Sequence, residues 1–268
     1  MTFESENLVK TQPIVQFYIN LKTTIMTTLI RIAIAFLVAL FLSSCGFDVN
    51  IGDFGSGEKG NGTVVTDDRA ITDEFTKVSS SEGLTVYVTQ ANEFNIKVEA
   101  DENIIDLIAT DIKNGKLRIH AKQNIGRATK KVYVSLPVVS NLSASSGSQL
   151  RVENTIESDD LEIDGSSGAQ IDVEVVTDAL EIDASSGASL TISGKTNRAN
   201  VDVSSGGNIN AKTLLTKTCT ADASSGGNMK IQVSETLVAD ASSGGNVAYT
   251  GNANVKTKKS VSGSVHKY

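Results

Sequence analysis

The sequence predicts an all-β protein: a right-handed parallel β-helix with coils of about 19 residues, preceded by an antiparallel β-rich cap holding one short helix. Three observations predict it. A Ser-Ser-Gly unit recurs with its glycine at Gly147, Gly168, Gly187, Gly206, Gly226 and Gly244, in steps of 21, 19, 19, 20 and 18 residues. Apolar residues alternate with polar ones straight through each unit, as in Leu161, Ile163, Gly165, then Ile171 and Val173 beyond Gly168. That period of two belongs to a strand, whereas a helical repeat would show spacings of three and four. Composition agrees, because the 268 residues include no Trp and only 5% aromatics, which suits a narrow aliphatic core.

The elements follow in chain order. Residues 1–25 carry no signal-like logic and read as an extension ahead of a start at Met26. Residues 26–44 read as an export signal: Arg31, an apolar run from Ile32 to Leu42 that is short for a membrane span, then small residues. The stretch "LSSC" resembles a bacterial lipobox, which implies a diacylglyceryl group on Cys45 as the new N-terminus. Gly46 stands where an inner-membrane retention Asp would, so the expected destination is the outer membrane, on its periplasmic or surface face. Removing residues 1–44, whose net charge is +1, takes the chain from −7 to −8, which argues against nucleic acid as a partner. Residues 45–62, rich in Gly, Asp and Asn, read as a flexible tether.

Residues 63–139 form the expected cap of the solenoid's open end. "GLTVYVTQ" and "FNIKVEA" alternate cleanly and predict a hairpin. "DENIIDLIATDI" has helical spacing with Asp101 as its cap, "NGKLRIHAK" reads as turn and strand, and "KKVYVSLP" as a strand ended by Pro137. Residues 140–268 are the coils and a C-terminal cap. The six glycines mark bends, where a positive φ comes at little steric cost. A weaker copy, "VSGSV", puts Gly263 another 19 residues on. Lysines in the tail (Lys256, Lys258, Lys259, Lys267) suit an edge guarded against pairing.

The order "FTKVSSSEGLTVYVTQ", "NIKVEADENIIDLIATDIKNGKLRIHAK", "VYVSLPVVSNLSASSGSQL" and then repeated "DASSGGN" resembles the head GIN domain family over about residues 70–250. The resemblance implies an exported β-helical protein of the adhesin type, from Bacteroidetes-like bacteria. It brings no catalytic residues.

The chemistry is judged residue by residue. A nucleophilic serine needs a base, and the two histidines, His120 and His266, lie outside the repeats. The serines are therefore expected to line a corner in hydrogen-bonded ladders. Four residues before each bend glycine stand Asp164, Asp183, Asp202, Asp222 and Asp240, an outward column of carboxylates. Like charges one strand spacing apart repel by about 1 kcal/mol in water. Either hydrogen bonds from the next bend offset this, or the column takes cations, as weak Ca2+ sites, or sugars. Asn208, Asn228 and Asn246 make a second polar column beside it. No cofactor and no built metal site is expected. Cys219 falls in an inward column and reads as a small buried hydrophobe.

The expected function is a non-catalytic, lipid-anchored binding or adhesion protein whose partner is a glycan or another surface ligand. One alternative is an envelope-structural β-helix that associates with itself. A polysaccharide lyase is the enzyme alternative, but Arg151 and Arg198 fall at different places in their coils and no acidic trio converges on them.

Overall fold

The structure, a computed structural model, describes residues 57–257 and 262–268, together with Thr28, Leu29 and Arg31 of a separate N-terminal unit, Met1–Phe54. The extension 1–25, nearly all of the export signal, and residues 45–56 of the tether, Cys45 included, lie outside the described residues, while residues 57–62 of the expected tether are held on the cap by hydrogen bonds to Asn124, Arg127 and Asp101.

The cap region runs β1 (Val64–Asp68), β2 (Lys77–Ser80), β3 (Thr85–Gln90), β4 (Asn95–Asp101), a 3-10 turn (Ile105–Leu107), β5 (Ile108–Lys113), β6 (Lys116–Ala121) and β7 (Lys130–Leu136). Two antiparallel features close the head of the molecule. β5 pairs with β6 through the tight turn Asn114-Gly115, both at positive φ, and β4 pairs with β7 on one side and β1 on the other. The expected hairpin between β3 and β4 does not form, because β7 lies between them. The expected helix is only the 3-10 turn. Its N-cap is Ile104, without a side-chain cap. Asp101 is instead a buried brace, whose carboxylate accepts the N–H of Gly62 at 2.9 Å and of Thr129 at 2.7 Å.

The repeats follow as β8 (Asn141–Ala144), β9 (Gln149–Val152), β10 (Ile156–Gly165), β11 (Gln170–Ala184), β12 (Ser189–Val203), β13 (Asn208–Ala223), β14 (Asn228–Ala241), β15 (Asn246–Thr250), β16 (Asn254–Thr257) and β17 (Ser264–Lys267). Each coil lies parallel on the next, giving the parallel β-helix the repeat predicts. The stack also contains a coil the repeat did not reveal. β2 pairs parallel with β6 and β8, and β3 with β7 and β9. The chain therefore lays down β2–β3 first and later wraps β6–β7 above it and β8–β9 below it. The core columns run unbroken through this insertion: Leu117, Val78, Leu142, Ile163 and Ile182 on one leg, and Val132, Val86, Leu150, Ile171 and Leu190 on the other. Nearly all are completely buried.

The bends explain the Ser-Ser-Gly repeat. The second serine has φ of 48–51° and the glycine 70–78°. The residue after the glycine donates its N–H to the first serine's carbonyl at 2.7–3.0 Å. Two left-handed residues closed by that bond make a type I′ turn. Bend glycine N–H groups, from Gly147 to Gly226, donate to the second-serine carbonyl one coil on at 3.0–3.2 Å. The expected ladder is therefore built from serine carbonyls rather than hydroxyls. A hydroxyl pair stands at the other corner, where the buried Thr177 hydroxyl donates to that of Thr196 at 3.0 Å. The bend glycines have open space where a Cβ would be, so φ is what selects them. The glycine that follows is selected by space: a Cβ on Gly207 would come within 2.7 Å of the Ala184 carbonyl oxygen.

The unequal steps also find their causes. The loop between β9 and β10 lengthens the first coil, and β13 slips register between Ala211 and Leu215. Gly263 is not a seventh bend glycine. Ser264 lies opposite Asn246, which aligns Gly263 with Gly245, the residue after the bend. The tail makes one more parallel coil, β16 on β14 and β17 on β15.

Candidate functional site

A period of two places residues four before each bend glycine on the outer face, and parallel register stacks them. Asp164, Asp183, Asp202, Asp222 and Asp240 lie directly opposite one another on successive strands, with Ser143 above Asp164. Asp183, Asp202, Asp222 and Asp240 share a groove of about 270 Å³ with the first serine of each bend, Ser185, Ser204, Ser224 and Ser242. All these groups are hard oxygen donors.

The column is electrostatically loaded. Burial raises the pKa of Asp183 to about 6, helped by Asp202, Asp164, Glu181 and Glu162. Burial likewise raises Asp164, against a hydrogen bond from Asn141 Nδ2 at 2.8 Å that favours its charged form. Asp202 is raised by burial and by Asp222. Hydrogen bonds offset part of this repulsion: Asp164 accepts a short one from Asn141 and Asp202 a long one, 3.5 Å, from Asn200. These donors stand two residues before the aspartate column rather than at the next bend.

Asn208, Asn228 and Asn246 stack in register as expected, but they lie beyond the bend and do not line the aspartate groove. Asn228 turns back to donate to the Gly226 carbonyl at 2.9 Å, so it braces its own bend.

A second groove, of about 780 Å³, follows the same strands. Its polar wall carries Glu162, Glu181, Asn200 and Thr220, and its floor is Leu161, Leu180, Ala199 and Cys219. The signal was present in the sequence at six residues before the glycine, a second even offset. Cys219 is buried as expected, and burial pushes its thiol up to about 12.

The remaining candidates are tied elsewhere. His120 Nε2 meets Asp111 Oδ2 at 2.8 Å across β5 and β6, and His266 meets the Ser264 hydroxyl at 3.3 Å. Arg198 is held by Asp178 at 2.7 Å, and neither it nor Arg151 lines the aspartate groove. Among the described residues no group of three His, Cys, Asp or Glu side chains forms a metal-binding cluster. No helix among them is long and apolar enough to cross a membrane.

Residues 74–253 match the family model described as "Putative auto-transporter adhesin, head GIN domain". No curated protein sequence matches the chain. A crystal structure from Bacteroides fragilis, described as a "putative adhesin", superposes with a TM-score of 0.72 at 20% identity, covering 79% of this chain and 99% of that one. A "putative lipid binding protein" from Parabacteroides distasonis gives 0.65 at 17% identity, covering 78% and 98%. A "putative adhesin" from Parabacteroides merdae gives 0.61 at 20%, again covering 78% and 98%. At these identities the likeness is one of fold.

Proposed function

The chain belongs to the head GIN domain family, and on that premise we propose that it is a non-catalytic binding protein of the adhesion type. In this reading it is exported to the bacterial envelope and held at the outer membrane by lipid on Cys45. The observation that carries the binding role is the linear array of like groups. Carboxylates and hydroxyls repeat once per coil, about 4.8 Å apart, along one outer face. Catalysis needs unlike groups converging on one reacting atom. A row of like groups suits a ligand that repeats as well, such as a glycan chain, with a divalent cation such as Ca2+ bridging where the ligand is acidic.

Two features support the non-enzymatic reading. His120 pairs with Asp111 in the cap and His266 with Ser264 in the last coil, and among the described residues no histidine or arginine lines the groove of Asp183, Asp202, Asp222 and Asp240. The test is a binding screen of the full chain against bacterial and host surface glycans, with and without Ca2+, alongside a variant carrying D183N, D202N and D222N. Binding that the triple variant loses supports the reading. Binding that it retains moves the site off the aspartate face. New unsaturated sugar product in the same mixtures would make the protein a lyase.

A further inference from the structure

We propose that this chain assembles head to tail with further copies of itself, through parallel pairing of β17 of one copy with β1 of the next. The proposal concerns the two ends of the β-helix and does not depend on what the aspartate face binds.

The ends differ. At the head, β5 covers the free edge of β6, and β4 followed by β1 covers that of β7, so β1 is the outermost strand. Its second edge has no strand partner among the described residues. At the tail, among the described residues, β16 and β17 pair only upward, with β14 and β15. Unpaired edges of this kind template the addition of another strand.

Strand direction selects the partner. β1 is antiparallel to β4, which is antiparallel to β7, so β1 runs the same way as β7. β7 is parallel to β3, β3 to β9, and the parallel pairings continue through β11–β15 to β17. The tail strand and the head strand therefore point in one direction. A second copy stacked below the first presents β1 to β17 in the orientation the solenoid already uses. The lengths match, at five residues for β1 and four for β17.

Side chains supply the specificity. On β1, Val65 lies opposite Ala100 and Asp67 opposite Val98, so both are on the core-facing side. On β17, Val265 lies opposite Val247 and Lys267 opposite Tyr249, again on the core-facing side. Each edge thus carries a half-buried valine and, two residues later, an inward-facing charge. An inward charge on an edge strand normally blocks pairing. Here the two charges have opposite sign, and aligning Val265 with Val65 brings Lys267 onto Asp67. Among the described residues Asp67 has Arg69, 3.1 Å away, as its ion-pair partner. The competing tail-to-tail dimer would bring the two copies' basic β17 strands together, which is unfavourable. β5 sits one layer nearer the stack than β1, so the joint is carried by the β1 leg alone. A heterologous contact of this kind propagates as an open chain of subunits.

The experiment is sedimentation velocity of the full chain over a concentration series, compared with K267E, D67K, and an equimolar mixture of the two variants. Circular dichroism confirms that each variant is folded. The expected result is a ladder of species growing with concentration, with association weakened roughly tenfold or more in either variant alone. It should return in the mixture, where Glu meets Lys at one joint and Lys meets Asp at the next. A monomer at every concentration overturns the proposal. So does association unaffected by either charge reversal. A closed dimer that responds to K267E but not to D67K overturns it in favour of tail-to-tail pairing.

Discussion

At the scale of the residue, each bend is held by a serine and a glycine in the same left-handed conformation, and the two differ in how readily they adopt it. A left-handed non-glycine residue costs about 1–2 kcal/mol. Gly187, at φ 75°, has room for a methyl group, so Gly187→Ala should destabilise by about 1–2 kcal/mol through backbone strain alone. Ser186→Asn should be neutral or stabilising, since Asn tolerates that conformation and favours type I′ turns. Chemical denaturation of both variants checks the pair. The glycine's role was legible because the sequence repeats it. The serine's was not, because left-handed serine has no signature of its own. Asp101 was misread for a related reason: an acid ahead of an apolar run looks like a helix cap, and only the tertiary fold brings Gly62 and Thr129 to it.

The aspartate column makes a second prediction at this scale. The folded-state pKa of Asp183 is raised from 3.8 to about 6, so between those values the folded protein binds more protons than the unfolded chain. The stability this group contributes is complete below pH 3.8 and is lost as pH rises through about 6. Thermal melts should therefore show Asp183→Asn raising the Tm at pH 7.5, with a smaller gain at pH 5. An equal gain at both values would mean that the charge is not what burdens the site.

At the scale of the element, the unit of construction is the coil. Its period, its alternation and the outward aspartates were all legible, because stacking requires equivalent residues to recur. Pairing partners within the cap were not. β3 and β4 alternate like a hairpin, yet alternation says only that a strand has two faces and not which strand lies beside it. The β2–β3 coil escaped notice because its bend reads Ser81-Glu82-Gly83, with Glu82 at φ 56° in place of the repeat's serine. This architecture separates two deletions. Removing residues 189–207 takes out one whole coil and rejoins equivalent positions, so the shortened protein should fold with a cooperative melt. Removing residues 77–90 empties a layer between β6–β7 and β8–β9 and should abolish cooperative unfolding. Calorimetry of both deletions distinguishes an inserted coil from a detachable cap.

At the scale of the whole molecule, a one-dimensional fold presents one-dimensional surfaces, and its columns of like side chains suit a repeating ligand better than a reaction. The family was legible from the order of its motifs, and the extended face of like groups follows from the same periodicity that builds the core. The larger groove was harder to foresee, because a column of outward residues in the sequence does not say which side chains leave room between them. The proposed adhesion role requires this face to meet ligands outside the cell. The direct measurement is protease treatment of intact cells, probing for this protein beside a periplasmic marker. The adhesion role predicts that the protein is digested while the marker survives. Protection of both until the outer membrane is opened would contradict it and leave a periplasmic role in its place.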